Sequence, residues 1–235
     1  MTLPAPAAFN LRIDELRHET AELIHLSLSG STEEFKKAYR VPGQYLQVSL
    51  ENLKPGFFAI ASGPGEAGIE LLIKRGNPLT DAIALKKAGS ELQASLPMGK
   101  GFPLEQAQQG TIFLVGVGSG IAPLRAMAHV LLQERSKWGR IILIYGARTP
   151  CNFPYQAEMD AWNRNGIEVT KVCSRPEEGS WKGPVGRVHD ALRILKPNFD
   201  PGSTAFVCGM KGMVDDVKVA LGGLGLGSER IFQNF

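Results

Sequence analysis

The 235-residue sequence has only three cysteines, Cys151, Cys173 and Cys208, which stand far apart and form no C-x-x-C pair. An odd and scattered set of cysteines gives no disulfide framework and does not indicate an iron–sulfur cluster or a zinc site. The four histidines are not spaced as a metal-binding pair either. We therefore expect no metal, and a reducing compartment.

Long apolar runs and blocks of one charge are also missing. No stretch approaches the ~20 apolar residues of a membrane span, and MTLPAPAAFNL at the N-terminus is unlike a signal peptide. The 26 basic and 23 acidic residues are spread along the chain, which does not indicate a nucleic-acid or membrane-surface partner. The sequence predicts a protein without a membrane span that is cytoplasmic, or in the plastid stroma if a transit peptide was removed.

The first part of the chain predicts a barrel. Six short alternating or apolar runs are separated by Gly, Pro and Asn: FNLRIDELRHE, AELIHLSLSG, QYLQVSL, FFAIAS, IELLIKRG and LQASLPMG. Such strands are typical of a small antiparallel Greek-key β-barrel, here over residues 1–105. Residues 79–87 have helical spacing and open on Thr80 and Asp81, so we expect a short helix that caps the barrel.

The second part, residues 106–235, alternates strands with helices. The strand-like runs TIFLV, IILIYG, IEVTKVCS and STAFVCG are each followed by a helical segment, and the chain closes on a short RIFQNF. This alternation predicts a parallel sheet with helices on both faces. Since either one large or two ordinary domains would suit the length, the change of pattern is what favours two domains, with a boundary near residues 103–110.

A glycine-rich turn follows the first strand of the second part. TIFLVGVGSGIAPLRA places Gly116, Gly118 and Gly120 between an apolar strand and a helix. Glycines let the backbone approach a pyrophosphate, and the N–H groups at the helix start carry partial positive charge. A tight turn needed only for close packing is the alternative, because the motif alone is weak evidence.

Polar and small residues end the later strands. Arg148 stands where a dinucleotide fingerprint would have an acidic residue, and Ser174 and Arg175 end the next strand. A hydroxyl beside guanidinium groups suits a phosphate, whereas solvated surface charges are the alternative. The strand after these ends in Cys208, Gly209 and Met210, where Cys208 either faces the crevice or is an ordinary buried cysteine.

An apolar strip, PGFFAIASGP at residues 55–64, is either a buried strand or a surface for a flat ligand. With the barrel pattern and with GVGSGIAPLR, IYGAR, CSR, W-x-G-x-x-G and CGMKGM in this order, the whole chain resembles the ferredoxin–NADP reductase superfamily. The missing cluster cysteines argue against the phthalate-dioxygenase-reductase type and the dihydroorotate dehydrogenase electron-transfer subunit. The sequence looks most like the stand-alone reductase-like proteins similar to the kiwifruit ripening-associated protein.

The resemblance implies FAD on the barrel, a nicotinamide nucleotide on the α/β domain and hydride transfer from NAD(P)H to the flavin. NADPH is favoured, NADH stays possible, and a protein could accept the electrons. In the family the flavin strand reads R-x-Y-[ST], and this chain has Gly56, Phe57, Phe58 and Ala59 there. Because the charge and the hydroxyl are missing, a nucleotide-binding or interaction module with weak or lost flavin binding is the alternative function.

The resemblance also assigns site residues. Phe58 is expected on the flavin ring, the GNPLT turn at residues 76–80 on the pyrophosphate, and Lys74 or Arg75 in place of the missing charge. The expected flavin contacts are Phe58, Ala59, Ile60, Ala61, Ser62, Lys74, Gly76, Thr80, Ser119 and Phe235. The expected NAD(P) contacts are Gly116, Gly118, Gly120, Arg148, Ser174, Arg175, Cys208, Gly209 and Met210. Cys208, Ser62 and a displaceable Phe235 are the expected catalytic residues.

Overall fold

The computed structural model describes residues 8–107, 110–195 and 197–234, which form two sheets. The first sheet comprises β1 (Ala8–His18), β2 (Leu23–Ser29), β3 (Tyr45–Ser49), β4 (Gly56–Ala59), β5 (Ile69–Lys74) and β6 (Glu91–Ser95). All of its neighbouring strands are antiparallel, in the order β4-β3-β6-β1-β2-β5. A bridge between Ile60 and Leu71 nearly closes the sheet, which confirms the predicted barrel.

Two short helices accompany the barrel. The predicted capping helix is confirmed as α2 (Pro78–Ala84), where the Asn77 side chain accepts a hydrogen bond from the Thr80 N–H at 3.1 Å. Helix α1 (Glu33–Ala38) was not expected from the sequence. Its six residues are too few to show a helical period, and Phe35 is its one buried side chain.

The second sheet is parallel, with the order β11-β10-β7-β8-β9. Its strands are β7 (Ile112–Val117), β8 (Ile141–Ala147), β9 (Ile167–Cys173), β10 (Thr204–Cys208) and β11 (Ile231–Gln233). The helices are α3 (Ile121–Gln133), α4 (Gln156–Arg164), α5 (Val188–Leu195) and α6 (Lys211–Gly223). Within the described ranges, no helix combines the length and the apolar character needed to cross a bilayer.

The parallel sheet has a separate apolar core on each face. Side chains of α3 and α4 cover one face, and side chains of α5 and α6 cover the other, so the predicted two-faced arrangement is confirmed. The α3/α4 core also contains Leu23, Ala61, Leu72 and Phe102 from the barrel side. The two sheets are therefore joined through one continuous apolar core.

A polar cluster crosses this junction, and we call it the interdomain cluster: Arg125, His129 and Glu158 from α3 and α4 with Glu66 and Glu70 from the barrel. The Arg125 guanidinium contacts both Glu158 oxygens, at 2.7 and 3.0 Å, and the Glu70 carboxylate. His129 Nδ1 lies 2.8 Å from Glu66 Oε1. Arg125 is only 5% exposed, so these charges depend on each other for compensation.

The interdomain cluster should make stability depend on pH. Burial opposes the charged form of His129, but hydrogen bonds to Glu158 and Glu66 outweigh it and raise its pKa from 6.5 to about 9. A raised histidine pKa stabilises the fold fully below pH 6.5, and that stability is lost as the pH rises through about 9. Burial of Glu158 is likewise outweighed by hydrogen bonds from His129 and Arg125, which lower its pKa to about 2.

We therefore expect the free energy of unfolding to fall between pH 6.5 and 9 by on the order of 2 kcal/mol more in the wild type than in His129→Gln. Urea unfolding of both proteins at several pH values measures the difference. Glu158 works in the opposite direction, because its contribution is present above pH 4.5 and is lost as the pH falls through about 2. Parallel pH profiles for the two proteins would show that His129 does not hold its proton as inferred.

Candidate functional site

A cleft of about 1230 Å³ opens between the two sheets. Residues of β4 and β5 line its barrel side, and the residues that end β7, β8, β9 and β10 line its other side. The carboxyl ends of parallel strands are the edge at which open α/β sheets bind ligands. Both halves of the predicted site thus face one cavity.

The glycine turn enters this cleft through Gly118 and Ser119. Gly118 has a φ of +56°, and a Cβ there would meet no heavy atom within 4 Å. Ser119 is exposed, and both residues line the cleft. The buried Tyr145 hydroxyl donates to the Gly118 carbonyl at 2.7 Å, which fixes the turn. Tyr145 also lines the cleft and belongs to the IYGAR run, but the sequence does not indicate its hydrogen bond to the turn, because that bond joins distant segments.

Gly116 and Gly120 serve close packing. A Cβ at Gly120 would lie 2.3 Å from the Cys208 carbonyl oxygen, and one at Gly116 would lie 2.7 Å from Leu124 Cδ1. Gly116 does not line the cleft, whereas Gly120 does. Both interpretations of the motif therefore apply, to different residues. Gly118 opens toward the cavity, Gly116 lets Leu124 of α3 pack on β7, and Gly120 lets the start of α3 approach β10.

Arg148, Ser174 and Arg175 come together at the ends of β8 and β9. The Ser174 N–H donates to the Ala147 carbonyl at 2.9 Å, and the Arg175 N–H donates to the Arg148 carbonyl at 2.7 Å. All three side chains are exposed and line the cleft. In the part of the chain that the structure describes, neither arginine has a carboxylate at ion-pair distance. They form a positively charged end of the cleft.

Cys208, Gly209 and Met210 line the cleft at the end of β10. Burial raises the pKa of Cys208 to about 12, so its thiol is neutral and is not a nucleophile at ordinary pH. A Cβ at Gly209 would lie 2.2 Å from Met213 Cε, the end of a flexible side chain, which would have to move aside. Met210 is 73% exposed beside the cleft.

The two phenylalanines of the apolar strip face opposite sides of β4. Phe58 pairs with the buried Leu46, and its ring lies 2.9 Å from where a Gly56 Cβ would stand. Phe58 therefore packs against the barrel core while it still reaches the cleft. Phe57 is 63% exposed and lines the cleft with Ala59. The sequence could have indicated Phe57, since alternate residues of a strand share a face.

Ile60, Ala61 and Ser62 are buried and do not line the cleft. The Ser62 hydroxyl accepts a hydrogen bond from the Glu70 N–H at 3.0 Å, and the Ala61 carbonyl accepts one from Arg125 at 2.9 Å. These hydrogen bonds attach the strip to β5 and α3, and Ser62 does not reach the cavity. Phe235 lies outside the described residues, although its neighbour Asn234 lines the cleft.

The GNPLT turn lies at the barrel end of the cleft, where Asn77 and Thr80 are lining residues and Gly76 is not. Three of its N–H groups already have partners: Gly76 donates to Asp81 Oδ1 at 3.2 Å, Asn77 to Thr80 Oγ1 at 3.2 Å and Thr80 to Asn77 Oδ1 at 3.1 Å. Lys74 also lines the cleft, and its ammonium lies 3.1 Å from Glu22.

Comparisons with known proteins agree with this architecture. Residues 114–219 match the family model of the oxidoreductase NAD-binding domain. The chain is 29% identical to the fruit protein pKIWI502 of Actinidia deliciosa over 81% of its own length and 64% of that protein's length. It is also 29% identical to the sulfhydrogenase 1 subunit gamma of Pyrococcus furiosus, over 81% of its length and 66% of the relative's length.

Among solved structures, a ferredoxin NADP+ reductase from Neisseria gonorrhoeae with bound FAD and NADP matches with a TM-score of 0.82 and 19% identity. That match covers 96% of this chain and 97% of the other. Residues 114–219 are thus similar to an oxidoreductase NAD-binding domain, and the whole chain shares the two-domain fold of the solved structure. The overall fold is that of the ferredoxin NADP+ reductase, in agreement with the resemblance seen in the sequence. The chain spans less than two thirds of the length of those two curated relatives.

Proposed function

We propose that this protein transfers a hydride from NADPH to a flavin, FAD in the first instance, inside the interdomain cleft. The observation that carries the proposal is that one cavity unites an aromatic barrel strip with the carboxyl ends of the parallel strands. Phe57 and Ala59 lie on the first side, and Gly118, Ser119 and Cys208 lie on the second. Aromatic and small side chains of this kind suit the stacking of flat rings.

The nucleotide side holds its ligand by backbone and charge. Gly118 leaves open space at the turn before α3, and the start of that 13-residue helix favours an anion. Arg148, Ser174 and Arg175 would hold a further phosphate at the neighbouring strand ends. These groups can orient a nicotinamide nucleotide with its ring toward Cys208, which is the position that hydride transfer requires.

The protein's own part in the chemistry is positioning. A flavin supplies the hydride acceptor when it is bound, and the chain supplies orientation and exclusion of water. The neutral Cys208 thiol is a weak hydrogen-bond donor next to the glycine turn, and it adds no charge there. The electron acceptor beyond the flavin would be another protein or a small oxidant, as the names of reductase components among the relatives suggest.

Loss of the Arg175 side chain should weaken the binding of NADPH more than the binding of NADH. In Arg175→Ala we expect NADPH affinity to fall by about 1.5–3 kcal/mol, the range for a hydrogen bond to a charged group, while NADH affinity stays nearly unchanged. Titration of each nucleotide by calorimetry measures both values. Arg164→Ala is the control, because Arg164 is equally exposed but ends α4 away from the cleft lining. Equal losses for the two nucleotides would rule out a contact with the 2′-phosphate.

The function itself is tested by mixing the protein with FAD and NADPH under anaerobic conditions and following the visible absorption of the flavin. The proposal predicts bleaching at a rate proportional to protein concentration. The alternative, a nucleotide-binding or interaction module of the same fold, predicts nucleotide binding with no bleaching even at saturating FAD. Reduced enzyme mixed afterwards with candidate acceptors then reports which class of acceptor reoxidises the flavin.

A further inference from the structure

The two ends of the cleft differ in their capacity to hold phosphate. Arg148 and Arg175 stand without a carboxylate partner among the described residues at the nucleotide end. At the barrel end, the two basic side chains expected to take the place of the missing family arginine each have an acidic partner. Lys74 lies 3.1 Å from Glu22, and Arg75 lies 3.5 Å from Asp81.

Three backbone donors at the barrel end are engaged as well. The N–H groups of Gly76, Asn77 and Thr80 donate within their own turn, and Pro78 has no N–H to offer. Glu22 lines the same end of the cleft, where its carboxylate offsets the charge of Lys74. A flavin diphosphate placed there would meet this carboxylate and would have to break existing hydrogen bonds, which costs free energy.

The position of the missing arginine is also closed. A Cβ at Gly56 would lie 2.9 Å from the Phe58 ring and 3.0 Å from Leu79 Cδ2. The space in which a long side chain would leave β4 is therefore filled by apolar atoms. The flat part of a flavin, in contrast, finds the exposed Phe57 ring together with Ala59. The barrel end fits an isoalloxazine ring and does not fit its phosphate tail.

We infer that the flavin is an exchangeable substrate, held by its ring, so that the protein is an NADPH:flavin reductase that uses riboflavin, FMN and FAD alike. This inference rests on the proposed function. In the balanced reaction NADPH gives a hydride and becomes NADP+, the flavin takes that hydride and one proton from water, and the dihydroflavin leaves the cleft. No further reactant is needed for the reduction of the flavin by NADPH.

Fluorescence titration of the flavin-free protein with riboflavin, FMN and FAD tests the inference. We expect the three dissociation constants to agree within about tenfold, and gel filtration to remove each flavin from the protein. Phe57→Ala should weaken the binding of all three flavins by a similar factor of about ten, because it removes an aromatic contact with the flavin ring. Lys74→Met should leave the ratio of FAD to riboflavin affinity unchanged.

FAD that stays with the protein in stoichiometric amount through gel filtration, or that binds more than about tenfold tighter than riboflavin, would overturn the inference. If NADPH bleaches that FAD, the proposed function stands, and only the inference that the flavin is exchangeable is wrong. If all three flavins bind with similar affinity but none is bleached, the proposed function fails, whereas the binding of flavins by their ring is supported. The two failures are thus distinguished by binding and by bleaching.

Discussion

Replacement of Arg125 by methionine is expected to lower the free energy of unfolding by about 3–5 kcal/mol, the cost of removing one partner from a buried ion pair. Arg125 is 5% exposed and holds both Glu158 oxygens, the Glu70 carboxylate and the Ala61 carbonyl. Its guanidinium also lies 4.8 Å from the centre of the Tyr155 ring. Methionine has a similar length, so the loss would come from charge and hydrogen bonds more than from volume.

Urea unfolding followed by two spectroscopic probes measures this loss. Arg12→Met is the matched control, because Arg12 pairs with Asp14 at the surface and its side chain is 64% exposed. Exposed pairs contribute about 0–1 kcal/mol, so the control should change little. Arg125→Lys should recover only part of the stability, since an ammonium cannot form the two-point contact with Glu158. Equal stability of the Arg125 and Arg12 variants would contradict the assigned role.

Replacement of Gly120 by alanine is expected to cost about 3 kcal/mol of stability and to weaken NADPH binding at least about tenfold. The added Cβ would stand 2.3 Å from the Cys208 carbonyl oxygen and 2.7 Å from its carbonyl carbon. Both contacts are with the backbone of a central strand, which cannot rotate aside. The start of α3 must therefore move away from β10, and the nucleotide turn moves with it.

Thermal unfolding and NADPH titration of Gly120→Ala measure the two effects. Gly212→Ala is the control: this residue also lines the cleft, but it lies in the first turn of α6, where a Cβ meets nothing within 4 Å. It should fold at least as well as the wild type, because alanine favours helix. If Gly120→Ala keeps wild-type stability and affinity, the close contact between α3 and β10 is not what requires a glycine there.

The order of strands and helices could be predicted because it depends on local pattern. Runs such as IELLIK and IILIYG show their burial in the sequence, and Thr80 and Asp81 indicate a helix near the observed start of α2 at Pro78. The roles of individual residues were harder to predict. Side chains of a strand alternate between its two faces, so an alignment of β4 that is shifted by one residue puts Phe58 in the place of Phe57.

Contacts between distant segments could not be predicted at all. Arg125 reaches Ala61 and Glu70 across the junction of the sheets, and Tyr145 fixes the glycine turn from the neighbouring strand. The position of Ser62 follows from the same cause: its hydroxyl is occupied by the Glu70 N–H, a partner that the sequence pattern does not reveal. Such contacts depend on how whole helices and strands pack, so they cannot be predicted from the pattern of neighbouring residues.

The central claim is that nicotinamide and flavin rings meet in this cleft and exchange a hydride directly. Single-turnover reduction of FAD by NADPH carrying deuterium at the transferred C4 position, mixed anaerobically with the protein, tests that claim. We predict bleaching that is slower with the deuterated nucleotide and slower still in Gly120→Ala. Absence of bleaching, or bleaching at the same rate with both nucleotides under conditions where chemistry limits the rate, would contradict it.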